Sequence, residues 1–451
     1  MNGKNNIMFK MHRDVFRYTN LHIKLQRIVF IAIIILSSIL PLFFVRCDEP
    51  TFSLNVFKFI AKIGALGGTM LIVWQFLLGF RFVVGKVMVD LLWVLSVHKT
   101  LGKYIMLIVG LHPVFITLYY LEKKGYNPLL LGGPTTFRYF VALGMAAFAI
   151  FIVVVATSIL FRQKFTKRTW FGFHITAYIA LPMIFLHSFP IGSTISEPPA
   201  RHFWIALAGF VGVLFVFRVM CRLCFMQKKY IVTSVAKLRP QVTRINAKPL
   251  GAKIVPGIGQ FIYLRKGFAG NIRPFTVSHY DEKTGELSVT VKALGTTSTS
   301  LQGIRPGELL YIDGPYGIFS HEALNSERPL VMIAGGIGIT PFLRIFEVLS
   351  YEPQREHHLF YGNKSKHEIV YEEELEDFKS VNIIHVLSED TNYPSETGYI
   401  TIPVLKKYLT DALSNYEFLI CGPPVMTMKL EEALTNENVP SEQIHHELFS
   451  Y

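Results

Sequence analysis

His98-Lys99-Thr100-Leu101-Gly102-Lys103-Tyr104-Ile105-Met106-Leu107-Ile108-Val109-Gly110-Leu111-His112 is answered further on by His174-Ile175-Thr176-Ala177-Tyr178-Ile179-Ala180-Leu181-Pro182-Met183-Ile184-Phe185-Leu186-His187. Both stretches lie in long apolar segments. Fourteen helical residues rise ~21 Å and thirteen rise ~20 Å. Ionisable groups at membrane depth are costly and mark function. Imidazoles from opposite sides are a common axial arrangement for haem iron. His98, His112, His174 and His187 therefore suit two haem b groups stacked through a hydrocarbon layer of ~30 Å. The competing reading, four unrelated interior histidines, leaves the paired spacing unexplained. The helical phases differ. Fourteen residues return within ~40° of the starting face, whereas thirteen fall ~140° away. The second helix must deform, and Pro182 is the visible place for it.

Working outward, six apolar stretches are long enough to span a membrane, at roughly 27–45, 59–80, 90–121, 137–161, 172–191 and 203–226. Flanks on one side carry 18 Lys/Arg against 7 on the other. The positive-inside rule then puts both termini in the cytoplasm. The third and fifth spans run the same way, so His98 pairs with His174 and His112 with His187. The first apolar run lacks a cleavage site, which predicts an uncleaved first span in the plasma (inner) membrane. The net charge of +13 is explained by membrane lipid and anionic cofactors, and no nucleic acid is expected as a partner. Cys47, Cys221, Cys224 and Cys421 make no disulfide framework.

After residue 229 the pattern changes to short alternating runs with Gly and Pro turns. Six of these predict a small antiparallel barrel. From Arg328 strand and helix alternate, as in a parallel, doubly wound α/β sheet. The expected domains are 1–228, a six-span membrane α-helical bundle; 229–326, a β-barrel; and 327–451, an α/β nucleotide-binding domain.

Arg273-Pro274-Phe275-Thr276-Val277-Ser278 puts a cation, an aromatic face and hydroxyls on one strand, which FAD requires. Lys292-Ala293-Leu294-Gly295-Thr296-Thr297-Ser298 adds a phosphate-type turn. Asp313-Gly314-Pro315-Tyr316-Gly317 closes the barrel. Ala334-Gly335-Gly336-Ile337-Gly338-Ile339-Thr340-Pro341 follows a strand and opens a helix, where a dinucleotide pyrophosphate sits. Cys421-Gly422-Pro423-Pro424 ends a late strand at the same edge.

On these motifs the chain resembles the NADPH oxidase and ferric reductase superfamily over residues 60–451. With no EF-hand loop and a short N-terminus, it resembles a bacterial-type single-chain NADPH oxidase. The resemblance implies cytoplasmic NADPH (or NADH), FAD, two haem b and an outer acceptor. It implies that Arg273 binds the FAD pyrophosphate and that Thr276 lies by the flavin, with Phe275, Ser278 and Lys292 around them. Gly295 and Ser298 would complete the phosphate site. Gly335, Gly336, Gly338 and Thr340 would cradle NAD(P)H, with Cys421, Gly422 and Pro423 by the nicotinamide. An aromatic ring one step beyond Glu447-Leu448, Phe449, would cover the flavin as a gate. Arg273 departs from the histidine of many animal members. The expected activity is transfer to O2 as acceptor, giving superoxide, with no obligatory protein partner evident. Ferric-chelate reduction, or donation to an extracytoplasmic protein, uses the same wiring. The choice between NADPH and NADH stays open, with Lys364, Lys366 and Arg344 as candidates to meet a 2′-phosphate.

Overall fold

Backbone polar groups find no water inside a hydrocarbon layer, so an apolar chain crosses it as helix. The computed structural model describes residues 20–130, 132–268, 270–350, 355–390 and 393–447. Its contacts divide the chain into two compact units, His22–Arg222 and one beginning at Leu223. Among the described residues, six helices of the first are long and apolar enough to cross a membrane: span 1 (Leu21–Phe44), span 2 (Phe52–Leu78), span 3 (Leu91–Lys124), span 4 (Thr135–Ile159), span 5 (Lys167–Ile191) and span 6 (Pro198–Arg222).

Span 2 is the most enclosed, with 61% of its apolar window buried. Glycine makes that possible. A Cβ on Gly64 would overlap the backbone of His112, and one on Gly68 would lie 3.0 Å from Val109. The same stretch, Ile63–Gly67, winds as a π-helix, a local distortion frequent at functional sites. Lys62, just before it, is buried and donates to Ser193 Oγ at 3.1 Å. It is an interior cation of span 2, within the apolar stretch 59–80.

The second unit begins with six antiparallel strands: β1 (Lys228–Arg239), β2 (Val242–Pro249), β3 (Phe261–Lys266), β4 (Arg273–Tyr280), β5 (Leu287–Lys292) and β6 (Leu309–Tyr316). They close as β1-β2-β5-β4-β3-β6. Val232, Ile245, Leu264, Val277, Val289 and Ile312 fill the interior. Closure leaves no unpaired edge.

The remaining strands are β7 (Leu330–Gly335), β8 (His357–Asn363), β9 (Val381–Leu387), β10 (Glu396–Thr397), β11 (Glu417–Cys421) and β12 (Ile444–Glu447). The order is β10-β9-β8-β7-β11-β12, with parallel pairing throughout. Both faces are buried. Met332, Leu359 and Leu419 face one core, while Val331, Phe360 and Phe418 face the other. Strands covered on both sides read as continuous apolar runs, as PLVMIA and EFLIC do. The order reverses at β7, and ligands of such sheets bind at the carboxyl edge there.

Candidate functional site

The four span histidines meet in two pairs. His98 and His174 have ring centres 6.1 Å apart, and His112 and His187 have centres 6.3 Å apart. An imidazole nitrogen lies about 1.1 Å from its ring centre and a metal–imidazole bond is about 2 Å, so rings on opposite sides of one ion have centres about 6.2 Å apart. Both pairs fit that separation. The pairing is the one the topology predicts.

Nδ1 contacts orient three of the rings. His187 Nδ1 lies 2.6 Å from the Phe140 carbonyl and His112 Nδ1 3.3 Å from that of Ala61. His174 Nδ1 lies 3.4 Å from Ser158 Oγ. An Nδ1 held by a backbone carbonyl leaves Nε2 as the ligating nitrogen. Trp170 stacks on His174 at 5.0 Å and donates to Ser158 Oγ at 3.2 Å. Gly144 gives His187 its room, since a Cβ there would come within 2.5 Å of Nδ1. Ring separation, orientation and clearance together fit a haem in each pair.

Span 5 reaches this geometry by breaking. It consists of Lys167–Ile175 and Ala177–Ile191. The join is Thr176, whose N–H and hydroxyl both donate to the Phe173 carbonyl, at 3.1 and 2.7 Å. Ile179 N then donates to Thr176 O, again three residues back. Such tight turns advance more than 100° per residue, which reduces the phase deficit of a 13-residue spacing. The expected site of distortion, Pro182, lies inside the continuing helix Ala177–Ile191. The correction is at Thr176 instead, because a proline removes one donor without overwinding the turn.

In the barrel, Arg273 opens β4, half-buried. Among the described residues its guanidinium donates to the Ile272 carbonyl at 3.2 Å and pairs with no carboxylate. It is available to a pyrophosphate. Thr276 and Ser278 are buried, Phe275 partly so. Ser278 Oγ donates to Ser288 O at 3.2 Å. Gly295 and Ser298 begin α1 (Thr296–Gln302). Ser298 Oγ accepts from Leu294 N and Gly295 N, both at 3.0 Å, so it shapes the turn from within. Thr297 Oγ1 is buried without a partner and marks where a further acceptor is wanted. A guanidinium with no carboxylate partner, an aromatic ring and a hydroxyl unpartnered among the described residues fit FAD.

At the parallel sheet, two loops cross. Gly335, Gly336 and Gly338 lead into α2 (Thr340–Leu349), while Cys421, Gly422 and Pro423 lead into α3 (Pro424–Asn436). A Cβ on Gly338 would overlap the Cys421 carbonyl, and one on Gly335 would lie 2.7 Å from Pro423 Cδ. Only glycine permits the crossing. Gly336 has φ +54° and lies about 4.0 Å, by its Cβ direction, from Lys292 Nζ. Lys292 donates to Glu368 Oε2 at 3.1 Å. Thr340 is buried and donates to Ile337 O at 3.2 Å.

Cys421 is 1% exposed and pairs in register with Ala334 on one side and Glu447 on the other. Burial, and then the Glu447 carboxylate, push its thiol well up, so it is neutral at physiological pH and no thiolate nucleophile. Glu447 is itself buried, 3.0 Å from the Cβ position of Gly317. Sequence reasoning missed Glu447 as a site residue, although the Glu-x-aromatic ending pointed to it. It also missed Arg218, which sits over Phe76, Phe80 and Tyr178 and donates to Gly79 O at 3.2 Å. Phe449 lies outside the described residues.

Three family models match the chain. Residues 63–185 match the ferric reductase like transmembrane component, 227–321 the oxidoreductase FAD-binding domain, and 332–432 the oxidoreductase NAD-binding domain. NADH-cytochrome b5 reductase 1 of Candida albicans is 30% identical over 188 residues, covering 39% of this chain and 64% of that protein. A component of the Na(+)-translocating NADH-quinone reductase of Yersinia pestis is 29% identical over 195 residues, covering 38% of this chain and 47% of that one. The chain thus spans less than two thirds of these curated relatives. Among solved structures, a flavohemoglobin from Malassezia yamatoensis aligns at TM-score 0.47 and 17% identity, over 88% of this chain and 98% of that one. A ferredoxin reductase in carbazole 1,9a-dioxygenase aligns at 0.45 and 23%, over 50% and 69%. The chain thus joins a ferric reductase like transmembrane component to an FAD-binding and an NAD-binding oxidoreductase domain.

Proposed function

We propose that this chain, which has the NADPH oxidase and ferric reductase-like architecture, is a transmembrane NAD(P)H oxidase. It holds FAD in its barrel and two b-type haems in its bundle. It takes electrons from cytoplasmic NAD(P)H and delivers them to O2 at the outer face as superoxide. The observation that carries this reading is the pair of histidine separations, 6.1 and 6.3 Å, at two depths of one bundle.

Bound FAD supplies conversion of a two-electron donor to single electrons, and bound haem supplies one-electron carriers. The protein's part is positional. His98 with His174, and His112 with His187, hold iron, each ring aimed by its Nδ1 contact or its helix. Arg273 binds the pyrophosphate of FAD, and Phe275, Thr276 and Ser278 line the flavin strand. Gly335, Gly336 and Gly338 seat the dinucleotide against Gly422 and Pro423. Neutral Cys421 lies beside the nicotinamide and presents no charge to the transferring hydride. The basic flanks of the spans support a cytoplasmic position for both termini and the second unit.

Ferric-chelate reduction is the second reading. The ferric reductase like match to residues 63–185 supports it as well. The test is cytochrome c reduction by the purified protein with FAD and NAD(P)H. Superoxide dismutase should abolish most of the signal. A ferric-chelate rate far above a barely measurable oxygen rate, at equal acceptor concentration, assigns the second reading instead.

A further inference from the structure

A dinucleotide seated at the Gly335–Gly338 turn extends its adenosine end along the carboxyl edge of the sheet, over β8 and β9. Neighbouring strands lie about 4.8 Å apart, so β9 is about 10 Å from β7, the scale of a nucleotide half. Register sets Gly335 beside Gly362 and Asn363 beside Leu387. The ladder then continues past the strand ends. Ser388 N donates to Asn363 O at 3.1 Å, and Glu389 N to Lys364 O at 2.8 Å. These bonds fix Glu389 on the lip of the nucleotide edge. Its carboxylate lies 3.1 Å from Lys364 Nζ. Asp390 follows and accepts from Lys366 N at 3.3 Å.

A 2′-phosphate needs a cation, and the three candidates are otherwise engaged. Arg344 is buried, its Nη1 donating to the carbonyls of Pro256 and Gly257 at 3.1 and 2.8 Å. Lys364 is matched by Glu389. Lys366 Nζ lies over the Tyr393 ring, 5.0 Å from its centre. The edge thus presents the Lys364–Glu389 pair, with the Asp390 carboxylate beside it, where NADPH would bring a doubly charged phosphate.

We infer that Glu389 selects NADH over NADPH, accepting a hydrogen bond from the adenosine ribose 2′-OH and repelling a 2′-phosphate. A carboxylate accepts a hydroxyl strongly and faces a phosphate at close like-charge distance. Sites built around a substrate hydroxyl discriminate steeply. Lys364 holds the carboxylate in place from its other side. This inference rests on the proposed use of NAD(P)H as electron donor, and its test separates the two.

The full chain with FAD and haem is titrated with 5′-AMP and with adenosine 2′,5′-bisphosphate, which carry the discriminating group without the nicotinamide. The wild type should bind 5′-AMP at least ~10-fold more tightly. Glu389→Gln should shrink that ratio, and Glu389→Lys should bring it to one or reverse it. Flavin and haem spectra check that each variant is folded. In anaerobic stopped-flow, flavin reduction should saturate at lower NADH than NADPH, with the order lost in Glu389→Lys. Equal or tighter bisphosphate binding by the wild type overturns the inference. So does a preference that survives Glu389→Lys. If neither dinucleotide reduces the flavin, the proposed donor falls, while the two adenosine probes still report on the lip.

Discussion

Spans 3 and 5 carry the same cargo of two histidines by opposite means. Span 3 is one helix of 34 residues, Leu91–Lys124, and its spacing of 14 nearly repeats the helical face. Span 5 has a spacing of 13, which does not, and it breaks at Thr176. The rings nonetheless meet at almost equal separations. The geometry of the paired site is therefore the constraint, and the helix whose period disagrees is the one that yields. Helical periodicity alone would have rejected a pair that the fold assembles.

The sharpest way to break this comparison is to remove one partner from each helix. His112→Ala and His187→Ala should each lower haem from two per chain to one, measured by pyridine haemochrome, with flavin reduction retained. One haem per chain in the wild type would overturn the equivalence of the two spans.

A large effect is also expected from Gly144→Ala, which introduces a methyl 2.5 Å from His187 Nδ1 and displaces the ring from Phe140 O. The outer haem should be lost or turn high-spin while the inner one keeps its low-spin spectrum. Two unchanged low-spin haems would mean that span 4 does not set the His187 ring.

Thr176→Val tests the break itself. It deletes the hydroxyl bond to Phe173 O, worth about 0.5–1.5 kcal/mol, or roughly two- to tenfold in haem retention. Transfer of haem to an apo-globin should quicken by that factor. An unaltered rate would assign the bend to the backbone alone.

The smallest effect concerns how the end of span 3 is held. Its C-terminal end is tied by Lys123 and Tyr119 to Glu49, which also meets Lys58 of span 2. Burial pushes the Glu49 carboxyl up, but hydrogen bonds from Lys123, Tyr119 and Lys58 hold it down to about 2, from an ordinary 4.5. A depressed value stabilises the fold above the ordinary value, and that contribution disappears as pH falls through the depressed one. The Tm of the solubilised protein should therefore fall between pH 4.5 and about 2. Glu49→Gln should remove that component, leaving a shallower Tm–pH curve. Superimposable curves would show the anchor to be immaterial.

Much of this was legible in the sequence, for identifiable reasons. Spans, barrel strands and buried parallel strands announce themselves through apolar run length and alternation. The histidine pairing followed from direction of travel, since spans of the same sense bring their first histidines to one depth and their second to another. The break at Thr176 was not legible, because proline is the visible helix disruptor and Thr176 acts through a local hydroxyl bond. The burial of Lys62 was not legible, because a charge near a span end reads as interfacial until packing shows it covered. Glu447 stayed hidden because its role comes from a neighbour, Cys421, 26 positions away in sequence and adjacent only through the β11–β12 ladder.

The crossing of the two glycine loops has a thermodynamic side. Loops that touch backbone to backbone, with Gly338 under the Cys421 carbonyl and Gly335 against Pro423, restrict each other's motion. Much of the conformational entropy of ordering them is then lost when the domain folds. A dinucleotide arriving at this edge meets a surface already ordered, and little of its binding free energy is diverted to stiffening loops.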